Sequence, residues 1–216
     1  MKEVSLIGAS GFVGAAILNE LLARGHRVTA VVRHPEKVRA AHVGLSVVQA
    51  DVADTAALVA ACKGKDAVIS AYNPGWGNPE IYAETLRNYP LILEAVREAG
   101  VKRLLCVGGA GTLFCAPGLR VVDSGAIPDS ILDGVKALGE FYLNILMKEK
   151  DVDWVFFSPA GTLEPGQRTG QFRLGKDDLI VDGKGVSHIS VEDYALAMVD
   201  ELERPQHHYE RFTIGY

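Results

Sequence analysis

The sequence predicts an α/β fold: a doubly wound, mainly parallel sheet in the strand order 3-2-1-4-5-6, with a small carboxyl-terminal region on the substrate side. Three observations predict it. Short apolar runs rich in β-branched residues alternate with helix-period patterns along most of the chain. The connections between these runs suit right-handed crossovers, which turn such alternation into a parallel sheet covered on both faces. The first strand also runs directly into a glycine-rich turn that opens the first helix.

That turn is Gly8-Ala9-Ser10-Gly11-Phe12-Val13-Gly14, after the apolar run Val4 to Ile7. Its spacing is G-x-x-G-x-x-G. Gly8 can leave the strand sharply, Gly11 lets backbone approach a pyrophosphate, and Gly14 lets the helix pack closely. Phe12 and Val13 open the helix, whose free N–H groups and partial positive charge suit an anion. Ser10 offers a hydroxyl. The expected ligand is a dinucleotide.

The helix continues through Leu18, Leu21 and Leu22, and Gly25 ends it. Val28 to Val32 is the second strand. Sites that select NAD carry Asp or Glu at the end of this strand, toward the ribose hydroxyls. Here the chain has Arg33 and His34, with Lys37 a turn later. A guanidinium binds a phosphate bidentately, so the expected cofactor is NADP, with NAD the alternative. Leu45 to Gln49 is the third strand, followed by Ala50, Asp51 and Val52; Asp51 falls where the chain would contact adenine. Asp54 caps the next helix. Lys65 to Ser70 is the fourth strand. Ligands gather at the carboxyl ends of such strands, which brings Ser70, Ala71, Tyr72 and Trp76 to the cleft.

Ile81 to Ala99 reads as a helix that Pro90 should kink or interrupt. Arg103 to Val107 is the fifth strand, ending in Gly108-Gly109-Ala110-Gly111. Residues 112–130 have little periodicity and read as an irregular insertion, a lid or a partner surface. Ile131 to Lys150 is helical, with Tyr142 among its apolar residues. Trp154 to Phe157 is the sixth strand, leaving through Ser158-Pro159-Ala160-Gly161. Short strands follow, then a helix with a capping-box pattern at Ser190 and a last strand from Glu210 to Ile214. The expectation is one domain over residues 1–216, its cofactor half about 1–110, and substrate-side elements at about 111–130 and 160–190.

The 216 residues suffice for a sizeable core, and a formal charge of −5 argues against nucleic acid as the main partner. No apolar run reaches membrane-spanning length, and the start of the chain lacks a signal-peptide pattern. The odd set Cys62, Cys106 and Cys115 suits reduced thiols in the cytoplasm, and no residue cluster has metal-site spacing. The expected partner is a small-molecule substrate, with self-association left open.

The stretches GASGFVG, VVRHPEK, Asp51-Val52, VGGAG, WVFFSPA and HISVEDYA, in that order, resemble the atypical short-chain dehydrogenase/reductase superfamily. The resemblance extends to its epimerase/dehydratase-like members and to the NAD(P)H-binding, NmrA-like subgroup. It implies a Rossmann sheet with a nicotinamide dinucleotide across the first half, held also by Val52, Ser70, Ala71, Gly108, Gly109 and Pro159. The superfamily normally carries a Ser after the fifth strand and a Tyr-x-x-x-Lys on the next long helix. Here Lys136 stands in the lysine's place and can bind ribose, but Leu132 replaces the tyrosine and Gly108-Gly109-Ala110 replaces the serine. Lys136, Thr112, Tyr72 and His188 remain as catalytic candidates. The resemblance thus implies an NADP-dependent oxidoreductase reducing a small flavin, quinone or carbonyl. The alternatives are a non-catalytic NADP sensor and, behind it, a sugar epimerase/dehydratase.

Overall fold

The computed structural model describes residues 1–216. Its elements are β1 (Glu3–Ile7), α1 (Phe12–Ala23), β2 (Arg27–Val32), β3 (Leu45–Gln49), α2 (Thr55–Cys62), β4 (Ala67–Ser70), α3 (Ile81–Glu98) and β5 (Arg103–Val107). A short hairpin of β6 (Phe114–Ala116) and β7 (Leu119–Arg120) follows, then α4 (Asp129–Asn144) and β8 (Asp153–Ser158). The chain ends with β9 (Thr162–Glu164), β10 (Arg173–Gly175), β11 (His188–Ser190), α5 (Val191–Glu203) and β12 (Glu210–Gly215).

The main sheet runs β10-β12-β8-β5-β4-β1-β2-β3. Every pairing is parallel except β10 with β12 at the edge. The expected 3-2-1-4-5-6 is therefore present, with β8 as the sixth strand, and β12 and β10 extend it. Alternation along each strand feeds two cores. Leu6, Val155 and Phe157 face α1 and α5, where Leu18, Tyr194, Met198 and Phe212 join them. Ile7, Trp154 and Phe156 face α2, α3 and α4, with Leu58, Tyr89 and Phe141. Tyr194 stacks on Phe157 at 4.3 Å, and its buried hydroxyl donates to the Phe157 carbonyl at 2.6 Å. No helix is long and apolar enough to cross a membrane.

Four expectations need correction. Helix α3 runs unbroken through Pro90. Its buried face of Tyr89, Ile92, Leu93 and Val96 holds it against the sheet, outweighing the one donor that proline removes. Helix α4 starts at Asp129 and ends at Asn144, and a separate 3₁₀ turn spans Leu146–Lys148. The capping box at Ser190 is half made. Ser190 Oγ accepts from the Asp193 N–H at 3.1 Å, but the Asp193 carboxylate binds Thr169 Oγ1, the Gly170 N–H and the Tyr216 hydroxyl instead. Finally, the 112–130 segment is ordered by local structure and by Arg211. That buried guanidinium donates to Thr112 Oγ1 at 2.8 Å and to Asp177, while the Phe114 N–H donates to the Asp177 carbonyl.

Candidate functional site

At the carboxyl end of β1 the chain must turn hard, and Gly8 does so with φ +81°. A Cβ there would stand 2.5 Å from the Ala71 carbonyl oxygen, so only glycine fits. The Gly8 N–H donates to the Val31 carbonyl, and the Gly11 N–H donates back to the Gly8 carbonyl. Gly11 caps α1 without a side chain. The N–H groups of Phe12 and Val13 therefore have no backbone acceptor, and the Ser10 hydroxyl has no partner. These donors and the positive end of α1 concentrate at one spot.

The turn forms one wall of a cleft of about 280 Å³ between the ends of β1, β2 and β4. Gly8, Ser10 and Gly11 line it on one side. Arg33, His34 and Lys37 line it at the exit of β2, Ala50 and Val52 after β3, and Ala71, Tyr72 and Asn73 after β4. No carboxylate lines it. Arg33 and Lys37 are exposed and carry no ion pair, although His34 lies 3.3 Å from Glu36. The contrast within the chain is plain: Arg24, Arg97, Arg103, Arg168 and Arg211 each hold a carboxylate.

The structure brings together most of the cofactor residues named from the sequence, but not all. Phe12 and Val13 stand at the start of α1, and Gly14 sits under the Gly8 carbonyl. Val52 is in the cleft, whereas the neighbouring Asp51 is exposed and caps its own turn, accepting from the Ala53 N–H at 2.8 Å. Ser70 is fully buried with no partner for its Oγ. Gly108, Gly109 and Pro159 lie at the exits of β5 and β8 and do not line this cleft. Gly108 is packed against Phe156, and its N–H donates to the Phe157 carbonyl.

The catalytic candidates do not converge. Tyr72 lines the cleft beside Arg33, its hydroxyl accepting from Asn88 Nδ2 at 2.6 Å; burial raises its pKa, so the phenol stays protonated. Thr112 is buried and its hydroxyl is taken by Arg211. Lys136 is exposed on α4 with no hydrogen bond or ion pair, one position round from Val135, which packs against Gly111. His188 sits on β11 beside Thr162, 3.6 Å from Asp182 and edge-on to Tyr216. Tyr142 is in the core, stacked on Phe156, as the helix pattern predicts.

A family of NAD(P)H-binding proteins matches residues 8–203. The chain belongs to this family. It is 64% identical to a Bacteroides thetaiotaomicron protein provisionally named an epimerase, whose crystal structure superposes with a TM-score of 0.95 over 100% of this chain and 97% of that one. A Streptococcus pneumoniae structure provisionally named an NADH-flavin reductase is 32% identical, with a TM-score of 0.86 over 100% of this chain and 99% of that one. An uncharacterized Bacillus subtilis protein is 40% identical over 98% of this chain and 97% of its own length. The resemblance to the atypical short-chain dehydrogenase/reductase superfamily thus holds.

Within this NAD(P)H-binding protein, sequence reasoning missed Asn88 and Tyr89. Both reach from α3 to residue 72. The signal was available: Asn88 falls on the buried stripe Ile81, Thr85, Asn88, Ile92, and a buried amide needs a partner. The exposure of Lys136 gives a test. Lys136→Ala should leave stability within about 0.5 kcal/mol, as for most surface changes, so a change in dinucleotide affinity by calorimetry reads a contact with the ligand. A tenfold loss would show that the lysine reaches the ligand.

Proposed function

We propose that the chain is an NADP-dependent oxidoreductase acting on a small flat acceptor, a flavin or a quinone, ahead of a carbonyl compound. One observation carries the cofactor part. The cleft joins an unsatisfied helix start to two cations without ion pairs, and no carboxylate lines it. The N–H groups at the start of α1 would hold the pyrophosphate, and Arg33 with Lys37 the 2′-phosphate. Ala50, Val52 and Tyr72 would flank the adenosine. Bound NADPH supplies a hydride.

The acceptor part rests on what the other end of the sheet offers. Leu132 stands in the tyrosine's usual place, Tyr142 is buried, and the Thr112 hydroxyl is bound to Arg211. Tyr72 is beside Arg33, at the adenosine end in this reading. Such a site suits an acceptor that takes its proton from water. The name of the pneumococcal relative supports a reductase, whereas epimerase chemistry of this superfamily uses the absent tyrosine. A cytoplasmic setting fits the three free cysteines.

The same missing acid favours a second reading, a sensor that binds NADP without turnover. Measuring NADPH oxidation across flavins, quinones and aldehydes separates the two. Oxidation above background with a flavin or quinone is the expected result. Calorimetric binding of NADP with no oxidation by any acceptor would overturn the enzyme in favour of the sensor.

A further inference from the structure

We propose that Asn88 and Tyr89 lock Tyr72 into the wall of the cleft that receives the adenosine half of the dinucleotide, which makes Asn88 a positioning residue for cofactor binding. The inference rests on the reading of the cleft given above and adds residues outside it.

Tyr72 is gripped at both ends. Asn88 Nδ2 donates to its hydroxyl at 2.6 Å, and the Tyr89 hydroxyl donates to its carbonyl at 2.7 Å. The rings of Tyr72 and Tyr89 meet edge-on at 5.6 Å. Arg87 Nε donates to Asn88 Oδ1 at 3.3 Å, which sets the amide with its nitrogen toward Tyr72. Asn88 and Tyr89 are each 3% exposed and Tyr72 8%, so the pair is held in the dry interior while the tyrosine still borders the cleft.

Two features point from this clamp to a ligand. Tyr72 lines the cleft that Arg33 and Lys37 also border, while its hydroxyl, accepting from Asn88, is anchored on the interior side. The backbone of residues 71–72 also abuts the phosphate turn. The Ala71 N–H donates to the Ile7 carbonyl at 2.9 Å, and the Ala71 carbonyl is the group that excludes a side chain at Gly8. Fixing Tyr72 therefore fixes the base wall and the turn together. Pre-set walls of this kind raise affinity by cutting the ordering cost of binding.

Calorimetry with two half-ligands tests the inference: 2′,5′-ADP for the adenosine half and nicotinamide mononucleotide for the other. Tyr72→Leu should weaken 2′,5′-ADP about tenfold or more, in line with the loss of an aromatic–base contact. Asn88→Ala should weaken it severalfold and leave the mononucleotide unchanged. In the Tyr72→Phe background, Asn88→Ala should have no further effect, because the bond through which it acts is already gone. Should Asn88→Ala fail to fold, Asn88→Gln keeps the amide but displaces it and serves the same comparison. Wild-type affinity in the Asn88 variant overturns the proposal, as does an equal loss in the Tyr72 and Tyr72→Phe backgrounds. If the wild-type protein does not bind 2′,5′-ADP at all, the reading of the cleft itself falls.

Discussion

Gly14→Ala should both destabilise the protein and abolish dinucleotide binding. The added methyl would lie 2.1 Å from the Gly8 carbonyl oxygen, 2.8 Å from its carbon and 3.1 Å from the Ala9 Cα. All three are backbone atoms, so no side-chain rotation relieves the clash. Alanine's helix preference over glycine returns at most about 1 kcal/mol. Overpacking costs roughly 1–3 kcal/mol and more against backbone, so the clash wins. Helix α1 must tilt off the turn, which moves the very N–H groups that face the cleft. A net loss of about 2 kcal/mol would lower Tm by roughly 4–8 °C for a chain of this size. Gly11→Ala is the companion measurement. Its methyl would meet only the Gly8 carbonyl oxygen, at 3.4 Å, and otherwise open space. That variant should keep nearly its full Tm and still lose dinucleotide affinity about tenfold, because the methyl occupies the approach to the helix start. Full affinity in Gly11→Ala would show that the ligand does not cross this turn.

The two glycines mark how far the sequence could be read. The sharp glycine turn between β1 and α1 and the run of parallel strands are legible in the sequence, because each rests on local geometry and burial. The packing partner of Gly14 was not legible: it is the Gly8 carbonyl, a contact made inside the turn. Pro90 misled because a local rule about a missing N–H competes with tertiary burial of the whole of α3. Val52 lines the cleft, and the exposed Asp51 beside it caps its own turn through one carboxylate oxygen. Thr112 looked free in the sequence because its partner, Arg211, lies 99 positions away. Lys136 had the right spacing from Leu132 for the superfamily pattern. Its side chain is exposed beside Val135, which packs against Gly111. For Pro90 and Thr112 the deciding contacts come from residues distant in sequence, and no periodicity records them.

Arg33→Ala should remove most of a preference for NADP over NAD while leaving NAD affinity nearly intact. The two cofactors differ only in the 2′-phosphate, so a preference must arise from groups around the adenosine ribose. Arg33 leaves β2 at the rim of the cleft, exposed and unpaired, and no acid lines that cleft to compete for it. A hydrogen bond from a guanidinium to phosphate contributes about 1.5–3 kcal/mol, or roughly tenfold to a hundredfold in affinity. Lys37 adds a smaller attraction that salt screens. His34 contributes less, because Glu36 stands 3.3 Å from it and brings a negative charge beside it. Charge reversal by Arg33→Glu should go further and turn the preference toward NAD, since a carboxylate repels the phosphate and accepts from ribose hydroxyls. Titrating both cofactors into the three proteins at one fixed ionic strength reads the effect directly. Equal NAD and NADP affinities in the wild-type protein would mean that the Arg33 guanidinium stays in solvent when the cleft is filled, and the charge argument would then fail at its first step.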